Sequence, residues 1–284
     1  MDIWIAVWLT EFIIVFVINA FTLVVFARSG HLRRRNTYLI MNLTVADLLI
    51  AAVSGPEAIL LLKENKRPTK GFGVLHVYLI ITDMCWIASL GNLVLISLER
   101  LHATLYPFRH CLVGKRIYYK IITFSWFGAL TLACGLQISD INGAFLANRY
   151  QWIIYVFLTL AVLTTSYVII ISKFIRKAHV QQLGSVMSAE RKLSVTLLIV
   201  SAASTLTLLP WVIISCISIS LDRDLWIEFT PLNIALTFYY LNSILNPVIY
   251  AIRLPEFRRA LKELFRKNTS YPVRRDQPIE LQAM

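Results

Sequence analysis

The chain has 284 residues, of which 57% are hydrophobic and only 15% are charged, and its formal net charge is +12. A mean hydropathy of +0.66 with so few charges excludes an intrinsically disordered chain and an ordinary soluble domain. The four Cys are too few for a disulfide framework, and no two of them fall in predicted outer loops, so we expect no structural disulfide.

Seven apolar segments follow one another along the chain, and each exceeds the roughly 20 residues that a bilayer-spanning helix needs. The predicted spans are about residues 3–27, 37–62, 72–105, 116–141, 149–175, 191–220 and 228–252. Residues 255–267 then place apolar side chains on one helical face and basic side chains on the other, which predicts an amphipathic helix on the inner leaflet. Residues 268–284 would form a short cytoplasmic tail. The pattern predicts an all-α membrane protein, a seven-helix bundle with an amphipathic eighth helix and no second domain.

The Lys and Arg residues are distributed unequally between the two sides of the predicted bundle. With the N-terminus outside, most of the 28 basic residues fall on the inner side, which is the orientation that the positive-inside rule favours. Attraction to anionic inner-leaflet lipid then explains the positive net charge, and no nucleic-acid partner is expected. Residues 1–10 lack a basic segment and a small-residue cleavage site, so the first span itself is expected to direct membrane insertion.

Several polar side chains lie in the middle of predicted spans, where they are energetically costly. A lone Asn or Ser at such a depth is more often a structural hydrogen bond between helices. Asp47 is harder to explain in this way, because an ionisable carboxylate with oxygen-bearing partners suits a hard cation or a proton. The residues that could converge at one depth are Asn19, Asp47, Ser89, Asn242, Ser243 and Asn246.

Charged residues and prolines mark the ends and bends of the later spans. Glu99 and Arg100 are adjacent and do not share a helical face, so Arg100 is expected to point toward another helix or the inner cavity, or to snorkel to the interface. Pro210 in span six and Pro247 in span seven each remove a backbone hydrogen bond and kink the helix. Such kinks are common in membrane helices and alone do not indicate a function.

Taken together, these motifs resemble those of the rhodopsin-like (class A) G-protein-coupled receptors, over about residues 3–267. The matching positions, in chain order, are Asn19, Asn42-Leu-Thr-Val-Ala-Asp47, Glu99-Arg100-Leu101, Trp126, Tyr167, Pro210 and Asn246-Pro247-Val248-Ile249-Tyr250. Each motif is weak alone, whereas the complete set in this order is specific.

The resemblance implies a receptor domain over residues 1–254, located in the plasma membrane with an extracellular N-terminus, that activates a heterotrimeric G protein. Arg100 would pair with Glu99 and Glu190 in the inactive state and be released when span six swings outward. The family's sodium pocket would be matched by Asp47, Ser89, Asn242, Ser243 and Asn246. An allosteric sodium ion is therefore possible, and no cofactor is required. The switch residues implied by the family are Glu99, Arg100, Tyr167, Glu190, Pro210, Asn246, Pro247 and Tyr250.

Departures from the family pattern narrow the resemblance. The position of the usual span-three disulfide holds Leu75, the usual span-five Pro is Thr159, and the usual span-six Trp is Leu208. These features are most similar to the melanocortin-type branch, with cannabinoid, lysophospholipid and adenosine receptors as relatives. Glu57 also matches melanocortin receptors, but their span-three acids align with Leu75 and Leu79, so the melanocortin ligand is not carried over. The missing Trp leaves ligand-independent signalling open.

The outer half of the bundle carries acids and aromatic side chains that could contact a ligand. The candidates are Glu57, Asp83, Trp86, Trp211 and Tyr240, with packing or internal hydrogen bonding as the alternative, and Glu11 and Asp140 are the other acids of this half. The acid of amine receptors would stand at Thr82, one residue before Asp83, which weakens a monoamine prediction. The retinal-binding Lys of opsins would stand at Tyr240, which excludes light sensing. Only a few residues precede span one, so we expect a small molecule, a lipid or a short peptide.

A transporter or channel and an enzyme are the two other classes of function. A transporter or channel would often show internal repeats and paired broken helices, and the sequence shows no repeat. An enzyme is not expected, because the five His lack metal-ligand spacing and neither a Gly-x-Ser-x-Gly elbow nor a phosphate loop occurs. The tail offers mainly Thr269 and Ser270 for phosphorylation, so weak or absent arrestin recruitment is expected.

Overall fold

The computed structural model describes residues 2–32, 37–63, 73–178, 185–220 and 230–267, and these residues form helices and no strand. The helices are α1 (Asp2–Arg28), α2 (Thr37–Lys63), α3 (Val74–Leu105), α4 (Pro107–Cys111), α5 (Lys115–Ile141), α6 (Phe145–Ala178), α7 (Ser185–Ser220), α8 (Thr230–Arg253) and α9 (Pro255–Lys267), with a 3₁₀ turn at Gly30–Leu32. This confirms the predicted fold class of a helical bundle followed by a short C-terminal helix. The predicted tail at 268–284 lies outside the described residues.

Six of the described helices are long and apolar enough to cross a membrane, namely α1, α2, α3, α5, α6 and α7. Large apolar side chains such as Phe124, Phe127 and Leu206 are 69–79% exposed on the outside of the bundle, which is what a hydrocarbon environment favours. Helix α8, predicted as the seventh span, is not among the six. It carries Asn242 and Asn246, which face the interior and lower its hydropathy.

Helix α3 occupies the middle of the bundle and packs against α2, α5, α6 and α7. Its buried positions run along its length, from Leu75 near one end to Arg100 near the other. A helix that is surrounded on most sides buries residues all around, not on a single stripe. We call the two ends of the bundle the Arg100 end and the Asp83 end.

The connection between α5 and α6 is very short because α5 ends in a Schellman turn. The Gly143 amide donates to Asp140 O at 2.9 Å and the Ala144 amide donates to Ser139 O at 2.8 Å. Gly143 has φ = +74°, the left-handed conformation that glycine adopts without steric cost. Helix α6 therefore begins at Phe145, close to the short loop predicted at 142–148.

Helices α4 and α9 lie at the Arg100 end. Helix α4, which the sequence did not predict, turns back after α3 and carries His110. Helix α9 buries Phe257, whose ring centroid lies 5.3 Å from that of Phe26 in α1. Its basic residues Arg258 and Arg259 are exposed on the opposite side, as expected for an amphipathic helix.

Candidate functional site

A fully buried carboxylate connects three helices at the centre of the bundle. Asp47 Oδ1 in α2 accepts hydrogen bonds from Ser89 Oγ of α3 at 2.7 Å and from Ser243 Oγ of α8 at 3.0 Å. Its Oδ2 accepts from Asn246 Nδ2 at 2.9 Å. These four residues, which the structure brings together at one depth, are called the central site.

The central site is surrounded by more polar atoms than the described residues satisfy. Both polar atoms of the Asn242 side chain, the Oδ1 atoms of Asn19 and Asn246, and the Tyr250 hydroxyl are buried without a hydrogen-bond partner there. Asn19 uses its Nδ2 to reach Ser243 O at 3.1 Å. Buried polar atoms rarely lack partners in folded proteins. One carboxylate among several neutral oxygens therefore fits a small hard cation with its water.

A second buried charge lies at the Arg100 end. Arg100 is 0% exposed, and its Nε and Nη2 atoms donate to the two Glu99 carboxylate oxygens at 2.5 Å each. Tyr118 Oη of α5 donates to Glu99 Oε1 at 3.1 Å, and His110 Nε2 of α4 lies 3.4 Å from the same oxygen. We call these four residues the Arg100 lock. Arg100 pairs with its sequence neighbour because its long side chain spans the angle between adjacent positions.

The remaining predicted switch residues lie in α6, α7 and α8. Tyr167 of α6 is buried, and its hydroxyl accepts a hydrogen bond from Ser201 Oγ of α7 at 3.0 Å. Pro210 lies within α7 and Pro247 within α8. The Glu190 side chain is outside the part of the chain that the structure describes, so its pairing with Arg100 stays a prediction.

A hydrogen-bonded chain joins α5, α2 and α3 beside the central site. Trp126 Nε1 donates to Asn42 Oδ1 at 2.9 Å, and Asn42 Nδ2 donates to Asn92 Oδ1 at 2.7 Å. Sequence reasoning did not single out Asn92. The available signal was its position three residues after Ser89, which places both on one face of α3.

Aromatic rings of four helices meet at the Asp83 end of the bundle. Trp86 lies 4.1 Å from Tyr239 and 5.3 Å from Tyr240, measured between ring centroids. Trp211 lies 5.7 Å from Tyr239, and Trp152 lies 6.2 Å from Trp211. We call these five residues the aromatic wall. The structure thus places the predicted residues Trp86, Trp211 and Tyr240 together, and Tyr239, which the sequence did not indicate, lies between them.

The two acids proposed as ligand contacts differ in what the structure describes of them. Asp83 is half-buried, and its Oδ2 accepts a hydrogen bond from Gln137 Nε2 of α5 at 2.7 Å. Asp83 and Trp86 are three residues apart and share a face of α3. The Glu57 side chain lies outside the described residues. Among the described residues, no group of three His, Cys, Asp or Glu side chains is placed to hold a metal ion.

Comparison with known proteins gives consistent matches. The model of the 7 transmembrane receptor (rhodopsin family) matches residues 18–250. Two receptors of Rattus norvegicus, trace amine-associated receptors 7e and 7h, are 27% and 28% identical over 282 and 272 residues. Those alignments cover 82% and 79% of this chain and 75% and 71% of the relatives. The 5-hydroxytryptamine receptor 2B of Drosophila melanogaster is 40% identical over 75 residues, which is 26% of this chain and 12% of that receptor.

Proposed function

Since the chain belongs to the rhodopsin family of seven-transmembrane receptors, it is a G-protein-coupled receptor, and we propose that it converts binding of a small extracellular ligand into activation of a heterotrimeric G protein. The geometry of the Arg100 lock is the observation that supports this mechanism. A fully buried Arg with two 2.5 Å hydrogen bonds to one carboxylate is stable only while that carboxylate stays in place. A two-state switch needs a residue that is held in one state and released in the other.

The proposed activation step releases Arg100 from Glu99. Helix α7 would pivot at Pro210, where a backbone hydrogen bond is missing, and the Ser201–Tyr167 hydrogen bond would break. The Tyr250 hydroxyl has no partner among the described residues, so its movement toward Arg100 would break no hydrogen bond. The cavity so opened at the Arg100 end would accept a helix of the G protein.

The central site would hold a sodium ion in the inactive state. Asp47 would supply the negative charge, and the Ser89 and Ser243 hydroxyls with the unpartnered Asn242 and Asn246 oxygens would supply neutral ligands. A cation that takes ligands from α2, α3 and α8 would bind only the arrangement in which these three helices are packed close together. Its binding therefore stabilises that packing over the active state.

The ligand we propose is a small aromatic amine. The carboxylate of Asp83 and the aromatic wall adjoin one another on α3, and this combination suits an ammonium group attached to an apolar ring. The relatives reported above are named as trace amine and 5-hydroxytryptamine receptors. The melanocortin-type branch rests on departures at Leu75, Thr159 and Leu208 and on a match at Glu57. Its span-three acids are missing here, so we give the amine proposal precedence over that branch and over a lipid or peptide ligand.

The proposal includes an orientation and partners. The chain is a multi-pass membrane protein, and we place it in the plasma membrane with the Asp83 end outside and the Arg100 end in the cytoplasm. Helix α9 would then lie on the inner leaflet with its basic side chains near anionic lipid. We propose weak arrestin binding, since residues 268–284 offer mainly Thr269 and Ser270 for phosphorylation. The family match gives no support to a transporter or channel.

The test is guanine-nucleotide exchange on purified heterotrimeric G protein by the receptor in lipid nanodiscs. Arg100→Ala is expected to abolish exchange. No other residue of the Arg100 lock has a guanidinium group that could donate several hydrogen bonds to the G protein. The matched control is Arg109→Ala, which removes an exposed Arg of α4. Unchanged exchange by Arg100→Ala at an equal amount of folded receptor would contradict the proposal. Exchange by the wild type in the absence of any ligand would instead favour ligand-independent signalling.

A further inference from the structure

Buried polar atoms without partners fall into two main groups among the described residues. One group surrounds the central site. The other lies at the Asp83 end, where α1 packs against α2 and α8. Its members are Trp8 Nε1, Glu11 Oε2, Ser54 Oγ and Thr237 Oγ1. The family pattern assigns no role to this second group, which we call the α1 cluster.

Aromatic and glycine contacts place the α1 cluster at one level of the bundle. The ring of Phe12 lies 4.0 Å from the position of a Cβ on Gly55 in α2. The Phe12 ring centroid also lies 4.8 Å from that of Tyr240 in α8, in an edge-on arrangement. Glu11 and Ser54 each precede one of these contact residues by one position. Thr237 lies one helical turn before Tyr240.

Glu11 is the ionisable member of the α1 cluster. It is only 8% exposed, yet Oε2 receives no hydrogen bond from the described residues. Asp47, Asp83 and Glu99 are also buried or half-buried, and each accepts at least one hydrogen bond from a side chain. A buried carboxylate oxygen without a hydrogen-bond donor is costly inside a membrane protein, and a proton or a cation bound at Glu11 Oε2 would remove that cost.

We propose that the α1 cluster is a binding site for a protonated amino group, with Glu11 as its counter-ion. An ammonium group donates several hydrogen bonds, and the Glu11 carboxylate with the Ser54 and Thr237 hydroxyls offers acceptors from three helices. The neighbouring rings of Phe12 and Tyr240 add faces that attract a cation. A divalent metal would need more charged ligands than this cluster supplies.

The α1 cluster adjoins the proposed ligand site but is distinct from it. Tyr240 is shared, because it contacts Phe12 on one side and Trp86 of the aromatic wall on the other. Asp83 already accepts a hydrogen bond from Gln137, whereas Glu11 Oε2 accepts none from the part of the chain that the structure describes. The inference rests on the proposed function only in that a ligand would enter from the Asp83 end, and it is tested without any signalling readout.

The experiment measures the thermal-unfolding midpoint of the full chain in lipid nanodiscs with 2-phenylethylammonium as the probe and 2-phenylethanol as its neutral counterpart. The background is Asp83→Asn, which removes the other acid of this end of the bundle. Glu11→Gln is the test variant, because it keeps the shape of the side chain and removes its charge. Infrared difference spectra of the same samples report whether the Glu11 carboxyl loses its proton when the probe binds.

We expect the ammonium probe to raise the midpoint in Asp83→Asn and the neutral probe to leave it unchanged. Adding Glu11→Gln is expected to weaken probe binding by about ten-fold or more, since a charge-assisted partner is lost. The protonated-carboxyl band is expected to fall on probe addition and to be absent from the Glu11→Gln variant. Equal shifts with and without Glu11→Gln, equal shifts for both probes, or no shift at all would each overturn the inference. None of these outcomes depends on G-protein coupling.

Discussion

The substitution Glu99→Gln is the most direct perturbation of the Arg100 lock. It keeps the size of the side chain but removes the charge that neutralises a guanidinium with no exposed surface. It also replaces one of the two oxygens that accept from Arg100 by an amide group, which donates. In the proposed released state, Arg100 would reach a more polar cavity and would not need Glu99. The substitution therefore destabilises the inactive state selectively.

The magnitude follows from the number and kind of hydrogen bonds lost. A hydrogen bond to a charged group contributes about 1.5–3 kcal/mol, and at least one of the two 2.5 Å bonds cannot form with Gln. Each ~1.4 kcal/mol changes an equilibrium constant by about ten-fold. The ratio of active to inactive receptor is then expected to rise by roughly ten- to hundred-fold.

The assay is ligand-free nucleotide exchange on purified G protein at equal amounts of folded receptor. Tyr118→Phe removes the 3.1 Å hydrogen bond to Glu99 and keeps the Glu99 charge, so its basal exchange should lie between the wild type and Glu99→Gln. Glu263→Gln is the matched control, because its ion pair with Arg259 is largely exposed and should contribute little. Basal exchange by Glu99→Gln at the wild-type level would refute the idea that this pair holds the receptor inactive.

Two further predictions concern the centre of the bundle. Replacing sodium chloride by N-methylglucamine chloride should raise basal exchange of the wild type and have no effect on Asp47→Asn; equal salt effects on both would count against a sodium ion there. Trp126→Phe should lower the free energy of unfolding by about 1 kcal/mol, because Asn42 loses the donor at 2.9 Å. Thermal unfolding would measure it, and a midpoint equal to that of the wild type would show that the bond contributes nothing.

The sequence predicted those features that depend on composition and on local spacing. Hydropathy indicated the helical bundle, and the residues of the central site could be assembled because they lie at corresponding depths of their spans. The prediction that Ser89, Ser243 and Asn246 could converge at the depth of Asp47 required only their heights along their helices. Depth along a helix follows directly from residue number, so the sequence contains this information.

Contacts that depend on how helices rotate against one another could not be predicted in this way. Gln137 and Asp83 are 54 residues apart, and nothing in either local sequence specifies that their faces meet. Helix α4 shows the same limit. It brings His110 Nδ1 to 3.2 Å from His102 Nδ1 and His110 Nε2 to 3.4 Å from Glu99 Oε1, although the spacing of the His residues along the chain predicts no such contact. Tertiary packing of a short connecting helix decides this arrangement.

The position of Asp83 shows why similarity to amine receptors does not by itself identify the ligand pose. One residue along an α-helix is a rotation of about 100°, so moving the acid from Thr82 to Asp83 redirects the carboxylate around α3. The structure shows the result, because Asp83 accepts from Gln137 of α5 while Thr82 is buried. An ammonium group bound at Asp83 would therefore sit nearer α5 than one bound at the position of Thr82. An amine that also reached Glu11 would have to extend past Tyr240, which contacts both Phe12 and Trp86, and this would select for ligand length as well as charge.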